Sequence, residues 1–261
     1  MHRLSIAVVE YDIIQDSPEA NRSWIEEFIH GNLLDHNVDV IVLPEMFTCG
    51  FGKDANVYAE IQGGITTKWM KQMALFTNAL VIGSVPIKEQ GAVYNRLLAV
   101  EPSGFIYSYD KRHLFTYAQE NELFKEGKNI GQFEYKGVII RPIICYDLRF
   151  PVWCRNQKDN PYDVLLCVAN WPDSRMQAWN ILAQSRAVEN QASVVLCNRL
   201  GTDKYELFYS GQSKIINFKG DVISKKMNDN CYWAEIDITD IRENRNKFPF
   251  LNDADDFEIK L

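Results

Sequence analysis

Three side chains able to do nucleophilic chemistry on a carbonyl each follow an apolar run. Cys145 comes directly after Val138-Ile139-Ile140-Arg141-Pro142-Ile143-Ile144 and precedes Tyr146-Asp147-Leu148-Arg149-Phe150-Pro151. This reads as a buried strand ending in a thiol, then a sharp turn, then a helix opened by proline. Glu45 follows Val40-Ile41-Val42-Leu43-Pro44, and Lys111 follows Phe105-Ile106-Tyr107-Ser108-Tyr109-Asp110. The carboxyl ends of strands are where open α/β sheets bind ligands. A carboxylate, an ammonium and a thiol, each at a strand end, form a candidate catalytic constellation.

The elements needed to position them are legible along the chain. Leu4 to Val9 is an apolar strand, and Asp16-Ser17-Pro18-Glu19 starts a helix with Ala20, Trp24, Ile25, Phe28 and Ile29 at helical spacing. Val38 to Leu43 is nearly all apolar and β-branched, as a strand covered on both faces must be. A helix over Thr66 to Thr77 leads into a strand from Leu80 to Val85. Val93–Val100 and Phe105–Tyr109 flank the turn Glu101-Pro102-Ser103-Gly104, and Gln132–Tyr135 and Val138–Cys145 flank Lys136-Gly137. Between these hairpins, Thr116 to Gly131 is polar and aperiodic, and a loop of that length is usually functional.

The second half repeats the alternation. A strand Val164–Val168 ends in Ala169-Asn170-Trp171-Pro172. A helix Ala178–Gln191 is expected to carry Ala178, Ile181, Leu182, Ser185 and Val188 on one face. Then come a strand Ser193–Cys197, a hairpin of Gly211–Asn217 with Val222–Ser224, a strand Tyr232–Ile236, and a charged, irregular tail from Thr239. Residues 1–261 show no linker or repeat and read as one α/β domain with mixed sheets.

Composition narrows the function. With 46% hydrophobic and 24% charged residues in 261, a sizeable core is expected. A formal net charge of -7 argues against a nucleic-acid partner. The six cysteines form no C-x-x-C pair, so a reduced, cytoplasmic compartment is expected and a zinc site is not. No signal peptide is expected ahead of the first strand, and no apolar stretch approaches the ~20 residues of a membrane span. No metal and no cofactor are expected.

Leu43-Pro44-Glu45, Tyr109-Asp110-Lys111-Arg112-His113-Leu114-Phe115 and Cys145-Tyr146-Asp147-Leu148-Arg149-Phe150-Pro151 resemble the three ordered motifs of the nitrilase superfamily, the carbon–nitrogen hydrolases. Ala169-Asn170-Trp171-Pro172, Ser185–Gln191 and Cys197-Asn198-Arg199 look like further stretches of the same family. The resemblance spans the chain and is nearest the omega-amidase branch. It implies a four-layer α-β-β-α sandwich, usually assembled as a homodimer or a higher homo-oligomer. It also implies hydrolysis of a small linear amide through a cysteine thioester, with 2-oxoglutaramate or 2-oxosuccinamate as substrate. An N-carbamoyl-amino-acid or aliphatic amidase is the nearest alternative. A silent scaffold, or a redox sensor built on a low-pKa Cys145, is more remote.

By that resemblance Cys145 is the nucleophile, Glu45 the general base, and Lys111 the oxyanion partner together with the backbone N–H of Tyr146. Glu120 is the first choice for a second glutamate holding Lys111, with Glu122 and Glu126 also on that loop. Tyr146, Asn170 and Trp171 are expected at the pocket rim. Arg175 is the first choice to receive a substrate carboxylate, and Arg149 and Arg199 compete with it. A cysteine–histidine site needs an imidazole base. His2, His30 and His36 lie away from the motifs, and His113 reads as a structural hydrogen-bond former.

Overall fold

The computed structural model describes residues 2–260. Five strands, β1 (Arg3–Val9), β2 (Val40–Val42), β3 (Leu80–Glu89), β4 (Ala92–Val100) and β5 (Ile106–Asp110), build most of one sheet. Four more, β6 (Phe133–Tyr135), β7 (Val138–Ile144), β8 (Val164–Val168) and β9 (Ser193–Cys197), build most of the other. A two-stranded ribbon follows, β10 (Leu200–Thr202) with β11 (Phe208–Ser210). Then β12 (Lys214–Ile216) joins the second sheet, and β13 (Lys225–Asn228) and β14 (Cys231–Asp237) return to the first. The sheet orders are β13-β14-β1-β2-β3-β4-β5 and β12-β9-β8-β7-β6, with parallel centres and antiparallel edges.

The period-two alternation of the strands sorts side chains into layers. On β1, Leu4, Ile6 and Val8 face the second sheet, whereas Ala7 and Val9 face helices. On β2, Val40 and Val42 point inward between the sheets and Ile41 points to the helix side. That side is covered by α1 (Pro18–Asn32) through Ile25, Phe28 and Ile29, and by α2 (Ile65–Thr77) through Trp69, Met70, Met73 and Ala74. Two short helices, α3 (Glu120–Leu123) and α4 (Pro151–Cys154), flank the chain turns. The far face of the second sheet is covered by α5 (Met176–Asn190). The result is the expected four-layer α-β-β-α sandwich. Among the described residues no helix is long and apolar enough to cross a membrane.

Several expectations need correction. The face α5 buries is only partly the one that groups Ala178, Ile181, Leu182, Ser185 and Val188: Met176, Trp179, Ala183, Arg186, Ala187 and Asn190 are buried and Ala178 and Leu182 pack beside them, while Ile181 and Val188 are 56% and 53% exposed. Polar side chains disguised the stripe. Arg186 turns inward to donate to Leu148 O, and Asn190 accepts from Asn156 N, so both are satisfied without water. The tail is not irregular from Thr239. It forms α6 (Ile238–Lys247), capped by Asp237 and anchored by Ile238 and Ile241, with Arg242 and Arg245 paired to buried Asp163. Only two apolar residues mark that helix, too few to show a period. The hairpin expected between Gly211–Asn217 and Val222–Ser224 is present but short: Ile216 bridges Val222, Asn217 N–H donates to Asp221 O and Ile223 N–H to Ile215 O. Lys214–Ile216 also pairs with β9, and the charged Lys225–Asn228 pairs with β14.

Candidate active site

Glu45 stands two residues past Leu43, whose N–H still donates to Ile82 O and prolongs the parallel pairing. The backbone then turns sharply: Met46 has φ +47 and its N–H donates to Ser84 Oγ, and Phe47 N–H donates to Ser84 O. Gly83 lets this turn close, because a Cβ there would meet the Phe47 ring at 2.7 Å. Lys111 follows β5 directly, and its N–H donates to Asn95 O on β4. Cys145 follows β7 in the left-handed region, φ +45, which a non-glycine residue adopts only when its surroundings hold it there. Asp147 supplies that hold. It is fully buried and accepts from Ile144 N, Tyr109 OH, His113 N and the His113 ring. His113 therefore makes the structural hydrogen bond expected of it.

The charged groups form one cluster. Lys111 Nζ donates to Glu45 Oε1 at 2.9 Å and to both oxygens of Glu120 at 2.9 Å, and all three residues are 1% exposed. Glu120 also accepts from Phe115 N at 2.6 Å, which ties it to the loop, whereas Glu122 and Glu126 are exposed. Asn170 donates to Glu45 twice, backbone N–H to Oε2 at 2.8 Å and Nδ2 to the backbone oxygen at 2.7 Å. Burial alone would lower the Lys111 pKa, but the carboxylates of Glu120 and Glu45 outweigh it and hold the ammonium well above its ordinary value. Burial raises the Glu120 carboxyl, with Lys111 opposing. Burial and then the Glu45 carboxylate push the Cys145 thiol well above the usual range. That direction is opposite to the lowered thiol pKa a redox sensor requires, and a thiol held up in this way needs a base for its chemistry.

Glu45, Lys111 and Cys145 line one cavity of about 230 Å³. Tyr146, Asn170, Trp171 and Arg175 line it as well, and Glu120 touches it through Lys111. Arg149 shares the wall, its guanidinium 4.8 Å over the Trp171 ring, and Arg175 lies 4.9 Å over Phe115. Arg199 does not belong to the wall: its guanidinium is committed to Asp12, Ile13 O and Leu200 O. Asn170, expected at the rim, has its donors directed at Glu45.

Sequence reasoning missed Asn95 and Asp147, and it missed the cavity wall made by Phe51, Tyr117, Leu207 and Tyr209. Leu207 and Tyr209 arrive on the ribbon, whose loop is folded by Asp203 accepting from Tyr205 N, Leu207 N and Tyr209 OH. Asp147 sits inside a quoted motif and carried a signal. A buried acid two residues past a strand-end thiol must be serving the turn.

A family model described as carbon-nitrogen hydrolase matches residues 5–246. The chain belongs to the carbon–nitrogen hydrolase family. The omega-amidase YafV of Escherichia coli K12 is 44% identical over 223 residues, covering 85% of this chain and 86% of its own. A 2-oxoglutaramate amidase of Bacillus subtilis is 33% identical over 253 residues, covering 95% and 96%. Among solved structures, a CN-hydrolase superfamily protein of Xanthomonas campestris with an arsenic adduct in its active site is 36% identical. It superposes with a TM-score of 0.94 over the whole of both chains. This carbon–nitrogen hydrolase is accordingly an amide-hydrolysing enzyme.

Proposed function

We propose that residues 1–261 form one carbon–nitrogen hydrolase domain working as an omega-amidase, with Cys145 as nucleophile, Glu45 as general base, Lys111 as oxyanion partner and Glu120 as the anchor of Lys111. The observation that carries this reading is the buried lysine held between two glutamates at the wall of the thiol's own cavity. Glu45 Oε1 already accepts from Lys111 and Asn95, whereas Oε2 accepts only from Asn170 N, so Oε2 has room for a proton. It takes the thiol proton as Sγ bonds to the amide carbon. Collapse of the tetrahedral intermediate breaks the C–N bond, and the proton passes from Glu45 to the departing nitrogen, releasing ammonia. Water then gives a proton to Glu45 and attacks the thioester. The C–S bond breaks, and the proton returns to sulfur. In both halves the Lys111 ammonium and the Tyr146 N–H meet the oxyanion.

The relatives' names supply the substrate reading: a 2-oxo acid carrying a terminal amide, as in 2-oxoglutaramate. Two guanidiniums on the wall, neither meeting a carboxylate among the described residues, fit such an anionic substrate and do not fit a plain aliphatic amide. Arg175 is the first choice to hold the carboxylate, with Tyr146 and Trp171 at the rim. Ammonia release measured across 2-oxoglutaramate, 2-oxosuccinamate, N-carbamoyl amino acids and simple nitriles should favour the oxo-acid amides. Arg175→Ala should raise KM for them by roughly 10- to 100-fold, the scale of one charge-assisted hydrogen bond, and leave uncharged amides unaffected. An unchanged KM in Arg175→Ala together with a raised one in Arg149→Ala would move the role to Arg149.

We read the solution form as a homodimer in a reduced cytoplasm. Ile181 and Val188 on the outward face of α5 support self-association, and the six free cysteines, five of them buried, support the compartment. Sedimentation in reducing buffer should give twice the mass of one chain, and Val188→Lys should shift it toward monomer. A monomer at micromolar concentration would refute the dimer.

A further inference from the structure

We infer that Asn95 is a positioning residue for the hydrolytic base, locking the Glu45 and Glu120 carboxylates in register from a single amide. Its Nδ2 donates to Glu45 Oε1 at 2.8 Å and to Glu120 Oε1 at 3.2 Å, and its backbone oxygen accepts from Lys111 N. One residue on β4 therefore touches all three charged members of the cluster.

The amide orientation follows from charge. Turned over, Oδ1 would face two carboxylate oxygens with no proton between them, so only the Nδ2 arrangement suits two ionised acids. The consequence is an Asn95 Oδ1 that is fully buried and meets no hydrogen-bond donor among the described residues. An asparagine kept only for packing would not leave a carbonyl unmatched in the interior, where such a group is costly. The unmatched oxygen is the far end of an amide whose near end serves the acids.

The role is separable from the rest of the strand. Arg96, the next residue, points to the opposite face, where it meets Asp110, Glu89 and Gln62. The ionisable groups that face Asn95 are Glu45, Glu120 and Lys111, with Cys145 across the same cluster. Lys111 supplies one positive charge against two carboxylates, so a second donor is needed to keep both acids ionised and apart. Removing it takes one donor from the carboxylate that accepts the thiol proton, and a carboxylate that loses a donor is less favoured as the charged form.

This inference rests on Glu45 acting as the base. The test is the pH profile of kcat/KM for ammonia release in Asn95→Ala, Asn95→Ser and Asn95→Asp, each first checked for a native thermal transition. For Asn95→Ala we expect kcat to fall about tenfold with KM within about twofold, and the acidic limb to move up by about one pH unit. Asn95→Ser, which retains one donor, should fall between Asn95→Ala and the parent chain. Asn95→Asp, isosteric but adding a third acid, should move the limb at least as far as Asn95→Ala. It carries the test alone if Asn95→Ala does not fold. A limb that stays in place in the folded variants, or a loss confined to KM, overturns the inference. Glu45→Gln separates the two levels. If it retains turnover the base assignment fails, and if it collapses while the limb of Asn95→Asp stays in place, only the positioning role fails.

Discussion

Cys145→Ala should reduce ammonia release from any amide substrate by at least about four powers of ten, the scale seen when a covalent nucleophile is removed from a working unit. The loss is expected to be chemical and not structural. The Cys145 sulfur makes one weak hydrogen bond, to Asn170 O at 3.9 Å, and packs only at the partly buried edge of the core, so alanine there removes little. The left-handed backbone there is held by Asp147 through Ile144 and His113, which the substitution leaves alone. The melting temperature should therefore stay within a few degrees, and the variant should still bind substrate in the cavity. Ammonia release within tenfold of the parent chain, from a folded variant, would remove Cys145 as the nucleophile.

The second large effect is expected at Glu45. Glu45→Gln should lower kcat by about 10³-fold, within the range ascribed to general acid–base catalysis. The thiol should still alkylate with iodoacetamide, and more readily than before at neutral pH. The sign follows from the surroundings: the Glu45 carboxylate is among the causes that hold the thiol protonated, after burial, while Lys111 acts the other way. Removing the negative charge lets the thiol pKa fall, so the thiolate fraction rises as turnover collapses. The glutamine also places an N–H₂ either toward Asn170 N–H or toward the Lys111 and Asn95 donors, so a loss of a few degrees in melting temperature accompanies it. The decisive measurement pairs the two rates. Turnover and alkylation falling together would mean that Glu45 holds the pocket's shape and does not move the proton.

A mixed α/β domain could be read from the sequence because its strands obey simple periods, whereas the four-layer stacking came only with the resemblance to the family. The β1 alternation of Leu4, Ile6 and Val8 against Ala7 and Val9 is enough to say that both faces are covered. The three charged or nucleophilic residues could be read because each follows an apolar run abruptly. What escaped was of a different kind. The inward face of α5 includes Arg186 and Asn190, and a buried polar residue looks the same in sequence as a solvated one until its partners are known. Asn95 escaped for the same reason, since nothing local distinguishes it from an edge-strand asparagine. Arg175 ranks ahead of Arg199 in the sequence only by its place after a strand end. What separates them is that Arg199 meets Asp12, a residue 187 positions away, while Arg175 lies over aromatic rings on the cavity wall.

The first sheet carries Glu45 and Lys111 but is completed only by β14, which docks beside β1 and pairs Arg3 with Asp237. The second sheet delivers Cys145 and Asn170 from the middle of the chain. A polypeptide emerging from the ribosome thus exposes its thiol long before the strand that closes the opposite sheet has been synthesised. Pairing so distant in sequence is also slow to form. Refolding experiments should therefore recover turnover in step with the last tertiary signal and never ahead of it.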